Sequence, residues 1–352
     1  MNSLSSYFAN HSNKSIGLYA CYAYAITISI ESILIEFLTT TFLQITPIML
    51  SAISITLAGM MLSLVALFLM KRKGIFRLFL KSWKTLIFAS FFLAVGIFTW
   101  YDSINRIGAS KELLIAGPLE IVIIVVLARV FLNEKLDRIQ AGGIALALIG
   151  FIISLVSDIG TDVLDGTQTV VRSTLVTFGD IEAILSAFGF GIGVLFLTKL
   201  LTLYSPIEAA GASMLISGLI LVGFMVGFSY ESLQISSVAE RSLFQQPHIL
   251  MNTIIISSLF SLLPFVGSLS YSTGISRIGA SITATIGSSS ILITVIIQVM
   301  IKQFGISSNL PENIFLAIVG GIIGFLGIYV IHLHDHSTSV NIRKNKEDNY
   351  RS

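Results

Sequence analysis

The heptapeptide Ile104-Asn105-Arg106-Ile107-Gly108-Ala109-Ser110 returns with one change as Ile275-Ser276-Arg277-Ile278-Gly279-Ala280-Ser281, 171 residues later in a chain of 352. Each copy runs into a long apolar stretch. The chain therefore reads as one unit duplicated and fused, a construction common in membrane carriers, with the binding site where the halves meet. A second pair of landmarks keeps the same order: Thr46-Pro47-Ile48 with Gly59, and Ser205-Pro206-Ile207 with Gly218, 159 residues apart. The two spacings differ by 12, which calls for an insertion in the second half, and the polar stretch Tyr230–His248 is where it falls.

The repeats lie in a bilayer. The chain is 54% hydrophobic and 11% charged, whereas a soluble domain carries about 25% charged residues to face water. A net charge of +2 gives no argument for nucleic-acid binding. The single cysteine, Cys21, excludes an internal disulfide and reads as a small apolar side chain within a helix. The first apolar stretch follows Lys14, outruns a signal peptide and lacks a small-residue cleavage pattern, so it reads as a retained helix.

A spanning helix needs roughly 20 apolar residues. Ten stretches qualify: Ile16–Leu38, Ile45–Met70, Trp83–Tyr101, Ala109–Leu132, Ile139–Ser157, Phe178–Leu201, Pro206–Tyr230, Met251–Ile275, Ser281–Gln303 and Ile314–His332. They lack the alternation of barrel strands, so the expected fold is all-α. Cytoplasmic loops are rich in Lys and Arg. The loop with Lys71, Arg72, Lys73, Arg77, Lys81 and Lys84 is therefore placed inside, as are both termini, and the acidic Ser157–Ser173 loop outside. Five helices per half, an odd number, force the second half in upside down. The expectation is two inverted five-helix repeats, residues 1–165 and 166–352, in a multi-pass protein of the cell membrane. Gly108 should superpose on Gly279, and Pro47 on Pro206, about a two-fold axis in the membrane plane.

Several motifs of the first half occur in a telling order: Gly108-Ala109-Ser110, then Ala116-Gly117-Pro118, then Phe131-Leu132-Asn133-Glu134-Lys135-Leu136, then Gln140-Ala141-Gly142-Gly143 with Leu148-Ile149-Gly150. They resemble the EamA-like branch of the drug/metabolite transporter superfamily. In the second half Gly279-Ala280-Ser281 is kept, Ser289 stands in place of the proline and Lys302-Gln303-Phe304-Gly305 replaces the Glu segment. The resemblance implies a ten-helix carrier of small polar metabolites, amino acids or related compounds, working by alternating access. Such carriers are often exporters, and some are proton-coupled.

Glu120 is the sharpest candidate, mid-span and beside Gly117 and Pro118. A charged group at the bilayer centre costs about 2.5–3.5 kcal/mol on insertion scales, so it should face a cavity or a partner. Pro118 breaks the helical hydrogen-bond ladder and Gly117 loosens it, which reads as a hinge. A carboxylate there could bind a cationic group or take up a proton, against the plainer role of an interhelical bond. Glu31 and Glu36 in the first span are further substrate or coupling candidates, Glu31 the deeper and Glu36 placed toward the outer interface. Glu182 and Glu208 read as interfacial or capping groups. Lys111 and Glu112 read either as an outer vestibule or as ordinary first-turn chemistry behind an N-cap at Ser110. Arg106 and Arg277 are matched, either gating or snorkelling to headgroups. Trp100 and Tyr101 read as an interfacial belt. Tyr19, Tyr22, Thr27 and Ser29 would suit a polar lumen. Thr283, Thr285, Ser288, Ser289 and Ser290 place a hydroxyl cluster opposite Glu120 or simply serve helix packing.

His332, His334 and His336 alternate at the last span's end, where a solvated tail is expected rather than a metal site. No cofactor motif, Walker sequence or familiar catalytic constellation occurs, so an enzyme has little support. A channel would want a continuous polar pore. A nucleotide-sugar or lipid-linked translocator should prefer a basic cavity, whereas the intramembrane charges here are mainly acidic. The reading is a secondary carrier for a small polar or cationic molecule, with protons as the candidate coupling ion.

Overall fold

The computed structural model describes residues 2–42, 45–69, 74–132, 138–156, 161–164, 168–171, 177–235, 247–305, 309–311, 313–327 and 329–330. Helices run in the order α1 Asn2–Glu36, α2 Pro47–Leu64, α3 Gly74–Lys81, α4 Trp83–Ile107, α5 Ala109–Leu132 and α6 Arg138–Val156. After them come α7 Phe178–Leu201, α8 Pro206–Ile235, α9 Pro247–Phe260, α10 Leu262–Ile278, α11 Ala280–Gly287, α12 Ser289–Gln303 and α13 Ile314–Gly327. The first span ends in wide π-type turns at Phe37–Phe42, as does the second at Val65–Leu69. Among the described residues seven helical segments are long and apolar enough to cross a membrane, and two shorter apolar ones are Ala141–Ser154 and Ile314–Gly327.

Three features went unseen in the sequence. The connector between the halves holds a small antiparallel hairpin, β1 Thr161–Leu164 with β2 Gln168–Val171. The basic loop contains α3, which buries Ile75 and Leu78 while Phe76, Phe79 and Leu80 stay exposed beside Arg77 and Lys81, the pattern of a helix lying at a membrane surface. The eighth and ninth stretches are each broken once, at Ser261 and Ser288.

The repeated heptapeptide makes the same corner twice. Gly108 has φ 85° and ψ 159°, and Gly279 φ 95° and ψ 157°, a region open almost only to glycine. Each glycine N–H bonds the carbonyl four residues back, Ile104 or Ile275, closing one helix. Each glycine carbonyl accepts the first four-residue hydrogen bond of the next helix, from the Glu112 or Thr283 N–H. One residue thus ends a span and starts another.

Close helix approaches reveal the symmetry. A Cβ on Gly59 would stand 2.3 Å from the Leu215 nitrogen, and one on Gly218 2.5 Å from the Thr56 Cα. Because 56 and 215, like 59 and 218, are matched at the 159-residue spacing, these are one contact seen from both sides, as a two-fold axis requires. Gly211 meets Ser63 in the same series, so α2 and α8 run antiparallel although each is the other's repeat mate. The halves are therefore inverted. Two further reciprocal pairs agree: Gly17 packs on Arg277 and Ile278 while Gly179 packs on Arg106 and Ile107, and Gly267 approaches Thr27 while Gly96 approaches Gly189. Backbones meeting over small residues are the usual glue where lipid removes the hydrophobic drive between helices. Large apolar side chains such as Phe68, Leu80 and Phe315 point outward at 72–80% exposure, which a lipid surround tolerates and water would not.

The candidate substrate cavity

A central cavity of about 140 Å³ lies between the halves. From the first half α1 supplies Tyr24, Ile28 and Glu31, spaced to share one helical face. The stripe Glu112, Leu113, Ala116, Gly117 and Glu120 comes from α5, its two carboxylates about 12 Å apart along the axis. Facing them, α7 contributes Phe190, α8 Ser213 and Ser217, and α10 Tyr271. A lateral chamber of about 50 Å³ shares Tyr24, Gly117, Glu120 and Tyr271 with it and runs toward Ser288 and Ser290 at the α11–α12 break. Glu120 thus stands where the two spaces join.

Each cavity carboxylate has a different setting. Glu31 accepts a 3.0 Å hydrogen bond from the Tyr101 hydroxyl. Glu112 accepts one from Ser186 at 3.0 Å through Oε1, while its Oε2 is buried without a hydrogen bond. Glu120 lies beside the buried Tyr271 hydroxyl, its side-chain hydrogen-bond neighbour. The rings of Tyr24 and Tyr271 meet at 4.5 Å between centroids. Among the described lining residues there is no Lys, Arg or His.

Other candidates lie elsewhere. Glu36 does not reach an interface with solvent: it is buried, accepting from the Ala109 N–H at 2.9 Å, the Gln298 amide at 2.6 Å and the Asn309 N–H at 2.6 Å. Gln298 in turn accepts from the Ser110 N–H. One carboxylate thus ties the end of the first span to α5, α12 and the segment before α13. Lys111 is 2% exposed and pairs with Asp180 at 2.8 Å, away from the cavity. Asp180 also caps α7, accepting from the Thr177 N–H and hydroxyl. Arg106 pairs with Asp102 and Glu182, and Glu208 caps α8 through Ser205.

Four aromatic assignments change. Trp100 and Tyr101 are buried, the first against the cavity and the second on Glu31, because they occupy the inward face of α4 rather than its rim. Tyr19 and Tyr22 are 75% and 57% exposed on the outer side of α1, and the residue that enters the cavity is Tyr24. Thr27 bonds back to the Ala23 carbonyl, and Ser29 reaches the Ser290 carbonyl across to α12, so both serve the helices. Of the ninth-span hydroxyls, Ser288 lines the lateral chamber beside Ser290, while Ser289 gives its proton to the Ile286 carbonyl outside both spaces. Pro118 packs against Gly324 of α13 within a continuous α5, and Gly117 faces Ile291. Cys21 is buried at a helix contact with Gly274. No group of His, Cys, Asp and Glu among the described residues could hold a metal ion. Glu134, Lys135, Asp165 and the three tail histidines lie outside the described residues.

Inverted repeats closing on a buried, largely apolar cavity that holds three carboxylates, inside a shell of lipid-compatible side chains, define the architecture of a multi-pass membrane transporter. The chain belongs to the EamA-like transporter family, which it matches over residues 15–156 and again over 177–333, once per repeat. That family sits within the drug/metabolite transporter superfamily and is not enzymatic. No curated protein matches the chain in a direct comparison. A solved structure described only as the crystal structure of a protein aligns over 93% of this chain and 99% of its own, with a TM-score of 0.55 and 13% identity, which shows a shared fold.

Proposed function

We propose that the protein is a secondary active carrier, an exporter, that moves a small polar or cationic metabolite across the cell membrane by alternating access. The observation that carries this reading is the cavity between the inverted halves, whose only charged lining residues among those described are Glu31, Glu112 and Glu120. A buried carboxylate at the junction of two chambers can exchange a solute or a proton with whichever side is open. Ten spans, five in each of residues 1–165 and 166–352, complete the proposal. The seven long helical segments, α5 and the two shorter apolar helices are enough to make them. Gly117 and Pro118 serve as the bend in α5 on which the cavity opens.

Reconstitution into vesicles with a pH gradient, using labelled amino acids and amines, tests the carrier. Wild type should accumulate at least one of them, and Glu120→Gln, which keeps shape but not the ionisable group, should lower that accumulation at least about tenfold, as loss of an interaction near 1.4 kcal/mol would. Full gradient-driven accumulation by Glu120→Gln rejects this residue as the site. Glu31→Gln distinguishes the alternative carboxylate.

Both termini are proposed to be cytoplasmic, from the basic loop that includes Arg77, Lys81 and Lys84. In a Cys21→Ser background, Asp165→Cys should react with an impermeant thiol reagent from outside intact cells. Reaction from the cytoplasmic side alone would reverse the topology.

A further inference from the structure

We infer that the cavity selects an organic monocation with an aromatic or apolar body and no carboxylate: a protonated arylalkylamine rather than an amino acid. The inference rests on the carrier reading above and narrows its substrate.

The charge balance is one-sided. Glu31, Glu112 and Glu120 face the same space, and no basic side chain faces it among the described residues. Lys111, one residue from Glu112 in sequence, is committed to Asp180. Glu112 and Glu31 are buried, at 0% and 2% exposure, and Glu120 is half-buried beside Tyr271, itself 9% exposed. An ammonium group could rest against the Tyr24–Tyr271 rings beside Glu120, where ring faces add attraction for a cation shielded from water. Trp100 and Phe190 offer apolar wall to the rest of the molecule.

A zwitterion fares worse for a stated reason. Its carboxylate would need donors, and two of the wall hydroxyls, Ser213 and Ser217, already give their protons to the Ala209 and Ser90 carbonyls. The added negative group would lie among three carboxylates, and burying an unpaired charge is costly.

The test is isothermal titration of the full-length protein in detergent with four molecules of one shape: 2-phenylethylamine, phenylalanine, 3-phenylpropionate and 2-phenylethanol. The amine should bind at least about tenfold more tightly than each of the others, near 1.4 kcal/mol. Glu120→Gln and Glu31→Gln should each weaken amine binding by about the same factor, and the ranking on wild type stands without either variant. Equal or tighter binding of phenylalanine or phenylethanol, no amine binding at millimolar concentration, or an unchanged affinity in Glu120→Gln would each overturn the inference. Counterflow in vesicles separates this from the carrier reading. Movement of phenylalanine but not the amine sinks the substrate class and leaves the carrier. An amine that binds first in rank yet never moves supports the site and sinks the carrier.

Discussion

Replacing Glu36 by alanine is expected to destabilise the protein by about 3–6 kcal/mol, since it strands three donors, the Ala109 and Asn309 N–H groups and the Gln298 amide, at roughly 1–3 kcal/mol for each buried group that finds no new partner. The loss spreads further, because Gln298 is held in place by the same carboxylate while it accepts from Ser110. Glu36→Gln keeps one carbonyl oxygen and should recover part of the loss; Gln298→Ala should cost less than Glu36→Ala. Reversible unfolding in mixed micelles measures all three. A Glu36→Ala protein as stable as wild type would show that the network contributes nothing. Labelling of a cysteine placed at Ser268 in the cavity, in a Cys21→Ser background, gives a second readout: freeing this end of the bundle should change the side from which the probe enters.

Lys111→Met should cost about 3–5 kcal/mol, the usual penalty for leaving one member of a buried ion pair behind. Lys111 and Asp180 are each 2% exposed, so water cannot solvate the orphan. The partner variant, Asp180→Asn, keeps an oxygen to cap Thr177 and removes only the charge. The double variant should regain most of the stability, giving a coupling of about 1–3 kcal/mol in the cycle. Strictly additive losses would mean the pair is not the source. The same double variant also separates structure from transport: if it is stable and still moves solute, Lys111 holds α5 to α7 and takes no part in substrate passage.

What could be read from the chain alone was whatever local geometry imposes. The heptapeptide announced a duplicated corner because a glycine with positive φ is demanded at both 108 and 279. Glu120 stood out because a lone carboxylate in an apolar run has no local partner. The inversion followed from counting, and the antiparallel contact of α2 with α8 carries it physically. What was hidden depended on distant partners. Glu36 meets groups 73, 262 and 273 residues away, so the sequence could offer only its nearness to a helix end. Trp100 and Tyr101 sit one turn from Asp102 and Arg106 and so looked like rim residues, but depth in the membrane says nothing of which way a side chain faces. Tyr24 was legible in principle: it shares the 24, 28, 31 face with Glu31, whereas Tyr19 and Tyr22 do not.

The Glu36 network has no twin. Gly17 and Gly179 place α1 and α7 in register at a spacing of 162, and Gly108 and Gly279 place α5 and α12 at 171, so the positions answering to Glu36 and Gln298 are Thr198 and Leu127. Thr198 bonds only its own helix, to the Val194 carbonyl, and Leu127 has no polar atom in its side chain. Two identical inverted halves would give a carrier whose two open forms are mirror states of equal energy, each occupied half the time. Among the described residues the Glu36 network is thus confined to one repeat, and under the alternating-access proposal every 1.4 kcal/mol that it contributes to one open form skews the resting occupancy tenfold toward that form. On that proposal, asymmetry between the repeats would give a nearly symmetric carrier a preferred starting side.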